Sequence, residues 1–218
     1  MTENNLNIIL PNFQKPSGSG LNTLLEIKKT AELCLKCKLC ETRSQVVVED
    51  GNPLAKLLII GEAPGEQEDL RGLPFIGRSG KLLDKILETA EISRQNDTYI
   101  CNIIKCRPPE NRVPTSSEIE ACKPYLLSQI DIVKPKIILL LGSTSLTGLL
   151  GIKNPKITKL HGQWIIGSEG ILKDIWLMPF FHPSYLLRNQ SKEIDSPTWK
   201  ALQAIKEVKR KLIEFCAV

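Results

Sequence analysis

The sequence predicts an α/β fold, a three-layer α/β/α sandwich around a central four-stranded parallel sheet. Three observations lead there. Runs at Leu57–Ile60, Thr98–Lys105, Lys136–Leu141 and Ile175–Phe181 have strand length and an apolar or β-branched character suited to burial on both faces. Segments between them space apolar residues at three and four, as amphipathic helices do. Strands alternating with helices pair in parallel through right-handed crossovers, and 218 residues suffice for one core.

Residues 1–20 carry a short apolar patch, Leu6 to Leu10, and then the linker-like Lys15-Pro16-Ser17-Gly18-Ser19-Gly20, so a mobile arm is expected ahead of one domain spanning 21–218. Leu21 to Leu33 has helical spacing and leads into Cys34-Leu35-Lys36-Cys37-Lys38-Leu39-Cys40. Asp50-Gly51-Asn52-Pro53 signals a turn before the first strand. That strand stops at Gly61 and empties into Glu62-Ala63-Pro64-Gly65-Glu66-Gln67-Glu68-Asp69, a Gly- and carboxylate-rich loop of the kind that binds ligands at the carboxyl edge of an open sheet. Ser79 is expected to cap a helix through Leu82, Leu83, Ile86, Leu87 and Ala90.

The second strand carries Asn102 and runs into Cys106-Arg107-Pro108-Pro109-Glu110-Asn111-Arg112-Val113-Pro114, whose prolines exclude helix. Thr115 and Glu118 form a capping box for a helix from Ser116 to about Val133, ended by Pro135. Gly142 closes the third strand, and a short helix continues through Leu150. Glycines between Ile157 and Asp174 suggest turns or a hairpin, and the fourth strand meets His182-Pro183. Ser196-Pro197 opens the last helix with cap and first-turn proline in place.

A formal charge of +5 favours a polyanionic partner without requiring one. The chain has no apolar run of membrane-spanning length, and Met1 to Gly20 lacks the features of a signal peptide, so a cytoplasmic protein without membrane association is expected. In that compartment seven cysteines point to metal ligation rather than disulfides. Cys34 and Cys37 form a tight pair, and Cys106 and Cys122 supply two more thiolates. Four thiolates suit either zinc or a 4Fe-4S cluster, and spacing does not choose between them. Cys37-x-x-Cys40 has the same spacing as Cys34-x-x-Cys37, whereas Cys101 reads as a buried small hydrophobe.

In a parallel sheet the strand ends carrying Glu62, Asn102 and His182 share one edge and converge on one pocket. Gly61-Glu62-Ala63-Pro64-Gly65-x-x-Glu68-Asp69 with Gly72-Leu73-Pro74-Phe75-Ile76-Gly77-Arg78-Ser79-Gly80-Lys81, then Asn102-Ile103-Ile104-Lys105-Cys106-Arg107-Pro108-Pro109, then His182-Pro183-Ser184-Tyr185-Leu186-Leu187-Arg188, resemble the three motifs of the uracil-DNA glycosylases of the iron-sulfur group, family 4. The match spans roughly Cys34 to Arg188. This resemblance implies a base-excision repair enzyme that flips uracil out of single- or double-stranded DNA and hydrolyses its N-glycosidic bond, leaving an abasic site. It implies Glu62, Ala63, Pro64, Glu68, Phe75, Asn102 and His182 around the base. It also implies a 4Fe-4S cluster on Cys34, Cys37, Cys106 and Cys122, with Cys40 outside the ligand set. A monomer is expected.

The residue chemistry suits that activity. A flipped base must be read on its Watson–Crick edge. The Asn102 carbonyl can accept from uracil N3–H while its amide donates to O4, a pattern that meets cytosine wrongly twice. Phe75 would stack on the base. Bond cleavage leaves a uracil anion, which His182 can stabilise by donating from a neutral imidazole. The catalytic set is therefore His182, Asn102 and Glu62. The resemblance has one departure: the water-activating Asp of the family 1 enzymes falls where this chain has Ala63, and by motif Glu62 and Asn102 are the nearest candidates to orient the water. Leu186 or Leu187 would fill the gap left by the flipped base, with Arg188, Arg107 and Arg112 toward DNA. The rival readings are a non-catalytic iron-sulfur or zinc protein that binds nucleic acid, against which Asn102 and His182 in one pocket count, and a superfamily relative preferring another deaminated base.

Overall fold

The computed structural model describes residues 23–216, so the arm expected over residues 1–20 lies outside the described residues. Helix α1 (Leu24–Glu32) begins at Thr23, whose hydroxyl accepts from the Glu26 N–H while the Glu26 carboxylate accepts from the Thr23 N–H. A short β1 (Asp50–Gly51) and then β2 (Leu57–Gly61) follow, and α2 (Glu66–Arg71) and α3 (Arg78–Glu88) separate β2 from α4 (Arg94–Asp97) and β3 (Thr98–Asn102). Next come α5 (Ser116–Val133), β4 (Ile137–Leu141), α6 (Ser143–Leu150), α7 (Ile157–Leu160), β5 (Ile165–Ile166) and β6 (Trp176–Phe180). The described chain closes with α8 (Pro183–Arg188) and α9 (Pro197–Cys216).

The sheet order is β1-β3-β2-β4-β6-β5. The four expected strands are its parallel centre, but the sheet has six strands rather than four. β1 and β5 add antiparallel edges only two residues long, too short to show a periodicity in sequence. Side chains alternate across the central strands. Leu58, Ile60, Ile138 and Leu140 face a layer built from α5 and α6, whereas Leu57, Ile59, Ile137 and Leu139 face α3 and α9. Asn102 has the parity of Ile100, which places it on the α3 side. Helix α1 docks outside α5 through Ile27, Ala31 and Tyr125. Among the described residues no helix is long and apolar enough to cross a membrane.

Several local expectations are corrected. The second strand ends at Asn102 rather than Lys105, because Lys105 turns inward and its buried ammonium donates to the Asn102 carbonyl at 2.8 Å and to Gln129 Oε1 at 2.6 Å. Helix α3 is capped by Gly77 without a side-chain bond, and Ser79 lies inside its first turn. The amides there are served by Glu68, whose Oε1 accepts from Ile76 N–H at 3.0 Å and Gly77 N–H at 2.8 Å. The loop after β2 contains α2, and Asp69 on that helix accepts from the Ser44 N–H at 3.0 Å. His182-Pro183 starts a helix, α8, that the sequence pattern does not announce.

Candidate active site

Strand order reverses between β2 and β4, the place where open α/β sheets leave a crevice beyond their carboxyl ends. A pocket of about 400 Å³ opens there. Of the predicted residues, Glu62, Ala63, Pro64, Glu68, Phe75, Asn102, His182, Arg112 and Arg188 line it. Pro108 and Asn111 of the Pro-rich loop join them.

Asn102 is buried, and its Oδ1 has no hydrogen-bond partner among the described residues. Gly61 makes room for it: a methyl group there would fall 2.4 Å from both Asn102 Oδ1 and the Phe75 ring. Phe75 is buried and adopts φ +52°, a left-handed conformation costly for a bulky residue by about 1 kcal/mol or more. Its ring centroid lies 6.0 Å from that of His182.

His182 caps α8. Its Nδ1 accepts from the Ser184 N–H at 3.2 Å and lies 2.8 Å from the Ser184 hydroxyl. With Nδ1 occupied as an acceptor, the proton resides on Nε2. Burial, helped by Arg188, pulls the imidazole pKa down to about 4 against a smaller upward pull from Glu68. The ring is therefore a neutral donor at neutral pH.

Glu62 Oε2 accepts from the Thr144 hydroxyl at the start of α6, which ties the ends of β2 and β4 together. Thr144 and Ser184 escaped the sequence reading. Thr144 lies two residues after Gly142 at a strand end, close to the signal that marks Glu62 directly after Gly61, whereas Ser184 lies inside a quoted motif without an assigned role.

The DNA-facing candidates divide. Leu186 is packed in the core, while Leu187 is partly exposed and Arg188 exposed. The Arg112 guanidinium forms a two-point pair with Glu118 at 2.9 and 2.7 Å and holds that carboxyl down to about 2. Arg107 donates to Asn111 Oδ1 at 2.8 Å and does not line the pocket.

Cys34, Cys37, Cys106 and Cys122 line a second hollow together with Cys40 and Arg43. Arg43 Nη1 donates to Cys106 Sγ at 3.2 Å, and the Lys105 N–H to Cys122 Sγ at 3.3 Å. Burial pushes the Cys122 thiol up to about 12 and also raises Cys37 and Cys106. Among the described residues no three His, Cys, Asp or Glu side chains are drawn close enough to grip a single ion. A thiol-lined hollow with N–H donors on its sulfurs suits the donor chemistry of a polynuclear iron-sulfur group.

The pocket histidine and His161 together predict an acid sensitivity. His161 Nδ1 accepts from the Phe181 N–H at 3.1 Å, its ring stacks on Phe181 at 3.8 Å, and burial lowers its pKa to about 4. Between the ordinary value of 6.5 and about 4 the unfolded chain binds protons that the folded chain refuses. Their contribution is thus complete above 6.5 and lost as pH falls through 4, on the order of 3 kcal/mol for each ring. Tm measured against pH should fall across that window and fall less steeply in His161→Gln. An identical slope in the variant would remove His161 from this account.

A crevice of about 400 Å³ at the switch point of a parallel sheet, lined by an amide, an aromatic ring and a neutral imidazole, defines an α/β protein with a ligand pocket beyond its strand ends. The family model described as "Uracil DNA glycosylase superfamily" matches residues 48–206. A type-4 uracil-DNA glycosylase of Thermotoga maritima is 44% identical over 175 residues, covering 78% of this chain and 87% of that protein. Those of Sulfurisphaera tokodaii and Saccharolobus solfataricus are 40% and 43% identical over 172 and 163 residues, covering 78% and 72% of this chain and 78% and 73% of those proteins. The chain belongs to the type-4 uracil-DNA glycosylases of the uracil-DNA glycosylase superfamily.

Proposed function

We propose that this protein excises uracil from single- or double-stranded DNA, acting as a cytoplasmic monomer whose residues 21–218 form one catalytic domain. The observation that carries the reading is the buried Oδ1 of Asn102 beside the Phe75 wall, which has no hydrogen-bond partner among the described residues. An orphaned buried acceptor demands a donor, and uracil N3–H supplies one while O4 accepts from the Asn102 amide.

Phe75 stacks on the flipped base. Glu68, whose carboxylate accepts from the Ile76 and Gly77 amides, is the residue that would exclude the methyl group of thymine. As the N1–C1′ bond breaks, its electron pair passes to uracil, and His182 Nε2–H donates to O2 where the negative charge develops. Glu62, held by Thr144 through one oxygen, uses the other to orient the water that adds to C1′ through its oxygen, and the proton that water loses neutralises the departed uracil anion. Ala63 and Pro64 shape the turn beside the base. Because Leu186 is occupied in the core, Leu187 is the side chain that fills the vacated stack, with Arg188, Arg107 and Arg112 near the phosphates.

Cys34, Cys37, Cys106 and Cys122 would hold a 4Fe-4S cluster whose role is structural, pinning the amino-terminal helix to the Pro-rich loop. Cys40 lines the same hollow without a ligand role. The free cysteines suit a reducing cytoplasm.

Oligonucleotides differing at one base test the reading. The wild type should release uracil and leave thymine, cytosine and hypoxanthine in place. Asn102→Asp should lower uracil excision by about tenfold or more and admit cytosine, since a protonated Asp donates to N3 and accepts from N4–H. Full uracil activity in that variant would remove Asn102 from base readout, and preference for hypoxanthine in the wild type would overturn the assignment of uracil.

A further inference from the structure

Phe75 needs support that its own segment does not supply. Its left-handed backbone persists only where surrounding groups over-determine it. Arg94, the first residue of α4, does not line the pocket, yet it grips this corner from behind. Its Nη2 donates to the Pro74 carbonyl at 2.6 Å and its Nη1 to the Phe75 carbonyl at 3.1 Å. The same guanidinium is aimed by Asp84 at 2.9 Å and by Asp50 at 2.8 Å, carboxylates from α3 and β1. The two carbonyls belong to the peptides on either side of the Phe75 Cα, so fixing both fixes the φ and ψ between them. Helix α3 closes the remaining side, for a methyl group on Gly80 would fall 1.8 Å from the Phe75 carbonyl oxygen.

We propose that Arg94 is a positioning residue for excision: it locks the Pro74–Phe75 corner so that the Phe75 ring is preset as the wall against which the flipped base stacks. The proposal rests on the stacking role given to Phe75. A ring already held in place loses little freedom when the base arrives, and a misplacement of the order of 1 Å in such a wall costs rate rather than fold. Only a planar fork with five donors can serve two carbonyls and two carboxylates at once, so lysine is not an equivalent.

A double-mutant cycle tests this, read as single-turnover release of uracil at saturating enzyme. Phe75→Ala should lose about 100-fold, and Arg94→Ala about tenfold when Phe75 is present but less than about twofold in the Phe75→Ala background. Guanidinium ion added at millimolar levels should restore part of the Arg94→Ala rate and nothing in the double variant. If Arg94→Ala does not fold, Arg94→Lys, which keeps the charge beside Asp50 and Asp84, enters the same cycle with the same coupling expected. Equal loss from the Arg94 change in both backgrounds overturns the proposal, because it assigns Arg94 to general stability. Wild-type rate in Phe75→Ala alone is a separate failure, that of the stacking role itself.

Discussion

Replacing His182 with alanine is expected to lower the single-turnover rate of uracil release by about two to three orders of magnitude, with binding of uracil-containing DNA weakened far less. The reason is timing. A donor to uracil O2 has little to stabilise in the intact nucleotide and much to stabilise once the electron pair has moved onto the base. The structure prepares such a donor: the Ser184 N–H occupies Nδ1, and burial keeps the ring neutral. Ser184 also predicts the tautomer, because an N–H donating to Nδ1 requires the proton to sit on Nε2. Cleavage rate at saturating enzyme and the Kd for the same duplex are the measurements to compare. A variant that binds tenfold worse yet cleaves at the wild-type rate once bound would strip His182 of its catalytic role. Parallel loss of rate, binding and Tm would make it a brace for α8.

On the proposed cluster ligation, the wild type should bind iron and absorb visible light, and Cys106→Ala or Cys122→Ala should abolish both and lower Tm by on the order of 10 °C. The two cysteines come from the Pro-rich loop and α5, and Cys34 and Cys37 from the loop that follows α1, so loss of the cluster would uncouple three segments. Cys40→Ala should keep both colour and iron. Iron content, absorption and melting of the purified protein decide the matter without reference to activity. A colourless, zinc-loaded wild type of full activity would sink the cluster assignment, and bleaching by Cys40→Ala would put the wrong thiol outside the ligand set.

The strand ends that carry Glu62, Asn102 and His182 could be found without coordinates. An apolar run bounded by Gly or Pro marks its own length, and in a parallel sheet such ends share an edge. The capping boxes at Thr23 and Thr115 follow from the geometry of one helical turn, although only the second was recognised from its residues. The central strands, the long α5 and α9 and the grouping of the cysteines belong to this local grammar.

Partnership across long separations does not. Thr144 meets Glu62 across 82 residues, and Arg94 reaches Phe75 across 19. No periodicity connects such positions; the sheet order and the crossing of helices do. The same holds for the two-residue edge strands, which exist only because β3 and β6 offer them a template. Leu186 and Leu187 make the point within one helix: they are adjacent and chemically identical, but α8 turns Leu186 into the core and leaves Leu187 toward the surface. The chemistry of the pocket was written in residue types and the tautomer of His182 in its near neighbour Ser184, whereas the anchoring of Glu62 and the preset angle of Phe75 arise from hydrogen bonds that form only when distant segments have packed.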